Sequence, residues 1–110
     1  MFTANATISD VIVEETKVWV KFEIEGKYFP AHYEFNTSLL SVITKLMFLL
    51  KGAKAKNVKD LIGKGIRVID TEAPSNSLVA VGDNSRNKFV DLYGSEFPVR
   101  ERKIYRKYKQ

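Results

Sequence analysis

The sequence contains no cysteine, so disulfide bonds, thiolate nucleophiles and metal sites built from thiolates are all excluded. It also lacks a long hydrophobic run. The most apolar stretch, residues 39–50, is interrupted by Ser41, Thr44 and Lys45 and is too short to span a bilayer. The first ten residues have neither the cationic start nor the apolar segment of a signal peptide. A cytoplasmic protein without a membrane partner is therefore expected.

Residues that commonly perform catalysis are also scarce. The only histidine, His32, has no recognisable nucleophile beside it in a motif. Residues 83–94 resemble a calcium-binding loop, but Lys88 stands where the loop needs glycine and Gly94 where it needs an acid. The sequence therefore predicts no catalytic residue, no cofactor and no metal site, and we expect that the protein is not an enzyme.

What the chain has in excess is positive charge, and the excess lies at one end. The 110 residues include 18 Lys or Arg and 13 Asp or Glu, for a formal net charge of +5. Between Arg100 and Gln110 there are six cations and one anion, so this segment carries the whole excess. Ile104, Tyr105 and Tyr108 are interspersed among the cations. Such an asymmetry indicates an acidic or polyanionic partner.

A β-hairpin is predicted in the first third of the chain. Residues 17–25 (KVWVKFEIE) alternate strictly between apolar and polar side chains, which is typical of a half-buried strand. After a two-residue turn at 26–27, residues 28–35 return as the second strand. Because Pro30 cannot donate a hydrogen bond to a neighbouring strand, this second strand is expected to lie at a sheet edge or to carry a bulge.

The polar face of the first hairpin strand carries a large aromatic ring, Trp19, between Lys17 and Lys21. An exposed aromatic ring flanked by cations suits stacking on a nucleic-acid base beside its phosphates, and tryptophan is a common anchor of binding surfaces. The alternative is that the C-terminal tail or the N-terminal segment folds over Trp19 and buries it. The sequence leaves both interpretations open.

A helix is predicted from about residue 39 to Lys51, with capping groups in residues 36–38 and with Gly52 as the residue that ends it. Its expected buried stripe consists of Leu39, Val42, Ile43, Leu46, Leu49 and Leu50. Phe48 falls outside this stripe, among polar side chains, and needs a cover. A loop, the tail or a second copy of the chain could provide it, so a homo-oligomer through Phe48 is an open expectation.

Further strands are predicted on both sides of the hairpin and helix. Residues 3–13 read as a strand, and the parity of its apolar residues shifts between Ile8 and Val11, which predicts a β-bulge. A short helical turn is expected at 57–62. The period of two then returns in three later strands, at 65–70, 77–81 and 88–92.

The order of these elements predicts an α+β fold. We expect a small antiparallel sheet of five or six strands with one main helix inserted after the third strand. The alternative is an OB-like barrel, of the oligonucleotide-binding type, which also has a helix between its third and fourth strands. Residues 1–99 are predicted to form a single α+β domain, and residues 100–110 a basic aromatic tail.

Residues 60–68 (DLIGKGIRV), with the following strand LVAVG and Phe89, resemble a pattern in small phage- and prophage-encoded proteins of unassigned function. The shared pattern is D-L-x-G-K-x-[IV]-R-V, and the similarity covers about a third of the chain. Asp83 and Lys88 stand where these proteins have histidine and tryptophan. The resemblance implies a viral or mobile-element origin, and hence the host cytoplasm, with no activity or site residue to carry over.

The clustered cations predict a non-enzymatic protein that binds an anionic partner, with nucleic acid as the first choice. The alternative is a phage inhibitor or adaptor that binds an acidic host protein, for example a nuclease of a defence system (anti-CRISPR-like). The expected partner-binding residues are Lys17, Trp19, Lys21, Arg100, Arg102, Lys103, Tyr105, Arg106, Lys107, Tyr108 and Lys109.

Overall fold

The computed structural model describes residues 1–71, 78–83, 88–94 and 99–108. Within these ranges the helices are α1 (Leu40–Ala53), α2 (Glu101–Lys107) and a 3-10 turn (Lys59–Leu61). The strands are β1 (Phe2–Val13), β2 (Lys17–Ile24), β3 (Ala31–Asn36), β4 (Gly65–Asp70), β5 (Leu78–Gly82), β6 (Lys88–Asp91) and β7 (Val99–Arg100). No helix formed by these residues is long and apolar enough to cross a membrane.

The strands form one antiparallel sheet, in the order β3-β2-β1-β4-β5-β6-β7, that curls into a half-barrel. β3 comes back into contact with β5, and the Tyr33 hydroxyl on β3 donates to the Leu92 carbonyl just after β6 at 2.8 Å. The predicted α+β class fits this sheet. The predicted count of five or six strands with one main helix is wrong, since the described residues form seven strands and two α-helices.

β1 and β2 form as their residue patterns predict. The register between them shifts between Ile8 and Asp10, so the predicted bulge is confirmed, and Ser9 stands opposite no residue of β2. Before the bulge, β1 pairs with β4 over residues 2–7 and with β2 over residues 6–8. From Asp10 to Val13 it pairs with β2 alone. The two halves of this long strand therefore join different parts of the sheet.

The predicted two-residue turn at 26–27 is wrong, because β2 ends at Ile24 and β3 starts only at Ala31, directly after Pro30. β3 lies at the sheet edge, as expected from that proline. The capping groups expected just after it do not cap α1. The N-cap residue is Leu39, and no side chain caps the helix. Asn36 instead accepts a hydrogen bond from the backbone N–H of Ser38 at 3.0 Å, because its amide oxygen satisfies the local turn.

The predicted end of α1 at Gly52 is wrong. The helix continues to Ala53 and is closed by Lys54, whose backbone is left-handed (φ 57°) and whose N–H bonds to the carbonyl of Leu50. Gly52 is buried against the sheet, where an added β-carbon would meet Cδ1 of Ile66 at 3.2 Å. A side chain at position 52 would push on the flexible end of Ile66, so glycine favours the close approach of helix to sheet, and the left-handed backbone occurs two residues later at Lys54.

The main core fills the inner face of the half-barrel, between alternate strand residues and one side of α1. This side of α1 is rotated from the predicted stripe: Lys45 is buried, whereas Leu39 is exposed. Phe48, which was expected to need a cover, is half-buried and packs against the main core of its own chain. Self-association through Phe48 stays a prediction.

A second apolar cluster lies on the outer face of the sheet. Successive strand residues point to opposite faces, so Ile69 points away from the main core to which Val68 belongs. Ile69 clusters there with Phe89 and with Ile104 of α2, which is 1% exposed. The two described α-helices therefore pack on opposite faces of the sheet, α1 inside and α2 outside.

Candidate functional site

The outer face of β2 and β3 carries the binding residues that were predicted on the first hairpin strand. Because side chains alternate along a strand, the residues that point outward on β2 stand opposite those that point outward on β3. The cross-strand pairs are Lys17 with Asn36, Trp19 with Glu34, and Lys21 with His32. The three β2 residues singled out from the sequence thus share one surface, and Glu34 and His32 join them there.

Trp19 is half-buried by a neighbouring side chain. Its indole stacks on the imidazole of His32, with ring centroids 5.0 Å apart and planes inclined by 27°. The two residues lie diagonally on adjacent strands, within reach of large side chains. Within the described residues neither terminal segment covers Trp19, since Met1 and Ile104 both pack in the second cluster instead.

An open cleft of about 370 Å³ lies beside this stack, and we call it the aromatic cleft. Its volume is at the lower end of the range for small-molecule sites, about 300–1,000 Å³. Aromatic faces, an imidazole and one carboxylate line it, an arrangement suited to a flat ring with hydrogen-bond donors on one edge. The lining residues are Trp19, His32, Tyr33, Glu34 and Tyr93.

Tyr33 and Tyr93 form one side of the aromatic cleft, and contacts with the segment after β6 hold them in place. The rings of Tyr33 and Tyr93 meet edge to face, with centroids 5.8 Å apart. Lys45 of α1 donates to the carbonyls of Leu92 and Gly94, at 3.2 Å and 2.8 Å, beside the bond from Tyr33. Burial lowers the pKa of Lys45 and raises the pKa of Tyr33, which keeps the Tyr33 hydroxyl protonated as a donor.

Tyr33→Phe should lower the free energy of unfolding by about 1 kcal/mol, because it removes the hydrogen bond to Leu92 while keeping the ring. Urea denaturation followed by circular dichroism measures this loss. Tyr28→Phe is the matched control, since Tyr28 is 91% exposed. It should change stability by less than about 0.5 kcal/mol. Equal losses at the two positions would contradict the anchoring role of Tyr33.

The C-terminal segment packs against the sheet through α2. Besides burying Ile104, the helix places the Tyr105 hydroxyl 2.5 Å from Oγ1 of Thr3 on β1. Thr3 also donates to the carboxylate of Glu101. The Tyr108 hydroxyl donates to Asp91 at 2.6 Å. The hydroxyls of Tyr105 and Tyr108, both predicted to contact a partner, are therefore engaged within the chain.

Asp91 is the buried carboxylate that anchors α2, and it is 2% exposed. The Lys107 amine lies 2.6 Å from Oδ2, while the Tyr108 hydroxyl and the Tyr93 N–H donate to Oδ1 at 2.6 Å and 3.0 Å. Burial alone would raise the pKa of Asp91. These hydrogen bonds and the charge of Lys107 outweigh it, so the pKa lies below the ordinary value of 3.8.

Gly94 is required beside this anchor. A β-carbon at position 94 would collide with the carboxylate of Asp91 and the amine of Lys107. The absence of a side chain therefore lets α2 reach the buried acid.

The cations of the C-terminal segment divide into two sets. Lys107 is paired with Asp91, and four other cations of β7 and α2 are exposed on the outside of the half-barrel. A cluster of exposed cations is the electrostatic footprint of an anionic partner. Lys109 lies outside the described residues. The exposed set is Arg100, Arg102, Lys103 and Arg106, which we call the basic surface.

The aromatic cleft and the basic surface lie at different places on the sheet. α2 bonds to Thr3 at the start of β1, whereas Trp19 pairs with Ile12 near its end. The rise of about 3.3 Å per strand residue separates these two points of β1 by at most about 30 Å. The predicted site residues therefore form two surfaces, and the structure does not merge them into one.

The chemistry available at the aromatic cleft is recognition: ring stacking, hydrogen-bond acceptance at Glu34 and attraction of anions to the nearby lysines. Among the described residues, no group of three His, Asp or Glu side chains is placed to hold a metal ion. No protein-family model, curated protein or solved structure matches this chain.

Proposed function

We propose that the protein binds single-stranded nucleic acid, with a base stacked at the aromatic cleft and the phosphates held by surrounding cations. The observation that carries this proposal is the stack of Trp19 on His32, flanked by Lys17 and Lys21 on an outward sheet face. Every nucleobase has a flat face that can stack on an aromatic ring, and cations beside the ring neutralise the backbone. The protein acts as a binding module, without catalysis.

The strand order supports the same function. The first five strands run β3-β2-β1-β4-β5, α1 lies between β3 and β4, and β3 contacts β5. Such an order supports an OB-like barrel that is open between β3 and β5. Barrels of this type bind ligands on the face of their second and third strands, which here carries Trp19 and His32. β6, β7 and α2 are additions after the fifth strand.

The basic surface provides the second contact. Its cations lie on the outside of the half-barrel, as Trp19 does, so one strand of nucleic acid can reach both surfaces along β1. Domains of the OB type cover about 4–16 nucleotides, which is compatible with two contacts on one molecule. Each phosphate neutralised on a single strand lowers the logarithm of affinity by about 0.7 for each tenfold rise in salt.

Trp19→Ala should weaken binding to a twelve-residue oligothymidylate by about 5- to 150-fold, because stacking contributes about 1–3 kcal/mol per base. Fluorescence anisotropy of a labelled oligonucleotide compares the variants. In the wild type, quenching of Trp19, the only tryptophan, gives an independent signal. Tyr28→Ala is the control, because Tyr28 is an exposed aromatic residue that does not line the cleft. Unchanged affinity in Trp19→Ala would overturn the proposal.

A protein partner is the second candidate, and one observation favours it. Leu40 and Met47, seven residues apart and hence on one side of α1, are 78% and 62% exposed. Exposed apolar side chains on one helix side suit the inhibitor or adaptor of a host protein. Binding through an apolar contact should depend little on salt, whereas oligonucleotide binding should weaken steeply. For either function we propose a cytoplasmic protein of phage or mobile-element origin.

A further inference from the structure

We infer that the aromatic cleft selects guanine, whose donor edge the Glu34 carboxylate accepts while Trp19 stacks on its face; this inference rests on the proposed function. Glu34 stands directly opposite Trp19 on the neighbouring strand, and both line the cleft. Directly opposed residues have β-carbons about 5 Å apart. A base stacked on the indole therefore has an edge within reach of the carboxylate.

The carboxylate of Glu34 is available to a ligand. The residue is exposed, and its side chain makes no hydrogen bond or ion pair within the ranges that the structure describes. An ionised carboxylate only accepts hydrogen bonds, and its two oxygens can accept two parallel ones. The cleft therefore presents a paired acceptor beside an aromatic platform.

Guanine is the base whose edge matches a paired acceptor. In a single strand the Watson–Crick edges are free for recognition. The guanine edge offers two adjacent donors, the ring N1–H and the 2-amino group. Cytosine and adenine offer one amino donor beside a ring nitrogen that accepts. Thymine offers one N–H between two carbonyls, and both carbonyls repel a carboxylate. Guanine alone can make two parallel hydrogen bonds to the Glu34 oxygens.

Charge also directs the base, and not the backbone, into the aromatic cleft. The Glu34 carboxylate repels phosphate, whereas Lys17 and Lys21 flank Trp19 on the adjacent strand. Lys21 lies 3.7 Å from Glu23, and an exposed pair of this kind is worth little, so its amine can still meet a phosphate. The negative group inside and the positive groups alongside therefore favour one orientation of the strand.

Pentanucleotides with thymidine at four positions and a varied central base test this inference through Trp19 fluorescence. Guanine should bind about tenfold more tightly than thymine, the scale of one good paired contact to a base edge. Hypoxanthine lacks the 2-amino group, so its affinity should lie about midway between those of guanine and thymine on a logarithmic scale. 7-Deazaguanine keeps the whole Watson–Crick edge and should bind as guanine does. Equal affinity for guanine and thymine would overturn the inference.

Glu34→Gln tests the role of the carboxylate itself. The amide has one acceptor oxygen, so the preference for guanine over thymine should fall below about twofold, while thymine binding is unchanged or tighter. Glu23→Gln on the same outer face is the control and should keep the tenfold preference. A guanine preference that survives in Glu34→Gln overturns the inference but not nucleic-acid binding. Failure of every pentanucleotide and of oligothymidylate to bind overturns the proposed function as well.

Discussion

Ile104→Ala should lower the free energy of unfolding by about 3 kcal/mol, within the range of about 2–5 kcal/mol for a buried isoleucine reduced to alanine. Ile104 is almost fully buried against Ile69 and Phe89 on the outer face of the sheet. Removing its side chain leaves a cavity between α2 and the sheet, and the short helix has few other apolar contacts to compensate. Urea denaturation followed by far-ultraviolet circular dichroism measures the loss.

The matched control changes the charge of α2 without touching its packing. Arg102→Gln combined with Arg106→Gln alters exposed side chains and should change stability by less than about 0.5 kcal/mol. The same variant should also bind oligonucleotides with a weaker salt dependence. The slope of log affinity against log salt should fall in magnitude by about 0.7 for each phosphate that is no longer neutralised. If Ile104→Ala were no less stable than this double variant, α2 would not be packed as described.

These two variants separate charge from folding in a way that truncation cannot. A chain that stops after Val99 lacks the basic surface. It also exposes the second cluster to solvent and removes two hydrogen-bond donors from Asp91. Weak binding by the truncated chain would therefore be expected even if its cations touched no partner. Substituting the exposed arginines keeps the packed helix and tests the charge alone.

The elements that could be predicted from the sequence have patterns that are long and local. The alternation in β2, the parity shift at Ser9 and the effect of Pro30 each depend on neighbouring residues. β7 and α2 contain two and seven residues, too few to show a period. The burial of Lys45 could not be predicted either, because its carbonyl partners lie 47 and 49 residues further along the chain.

The residues of the candidate site also differ in whether the sequence could predict them. Trp19 was found from its place on the polar face of a strand. Glu34 and His32 were missed, although the predicted turn at 26–27 places residue 25 opposite residue 28 and, by continuation, Trp19 opposite Glu34. Tyr93 has no such signal, because it reaches the aromatic cleft only when the sheet curls and brings β3 to the segment after β6. The register of the hairpin could be predicted from the sequence, whereas a barrel was only an alternative and the residues that meet when the sheet curls could not be predicted.

Lys107→Met combined with Tyr108→Phe should lower the free energy of unfolding at pH 7 by about 3 kcal/mol. The two substitutions keep the bulk of both side chains but leave the buried Asp91 carboxylate, among the described residues, with the Tyr93 N–H as its one donor. Removing the partners of a buried charge costs about 3–5 kcal/mol. The lower end applies because the Lys107 side chain is 48% exposed and solvent screens its charge.

The sign of the pH dependence shows whether Asp91 causes this loss. In the wild type the pKa of Asp91 lies below 3.8, so its stabilising contribution is present above about pH 4 and is lost on further acidification. Without the two donors, burial dominates and should raise the pKa above that of the unfolded chain. The folded variant then takes up a proton more readily, so its deficit relative to wild type should shrink between pH 7 and pH 4.

Asp91→Asn in the double variant removes the buried charge while keeping the shape of the side chain. It should recover part of the lost stability at pH 7. Its stability deficit relative to wild type should no longer shrink between pH 7 and pH 4, as the deficit of the double variant does. Lys45, whose pKa also responds to the charge of Asp91, stays unchanged in every chain compared. A deficit in the double variant that is equal at both pH values would mean that lost packing, and not an unpaired carboxylate, accounts for the destabilisation.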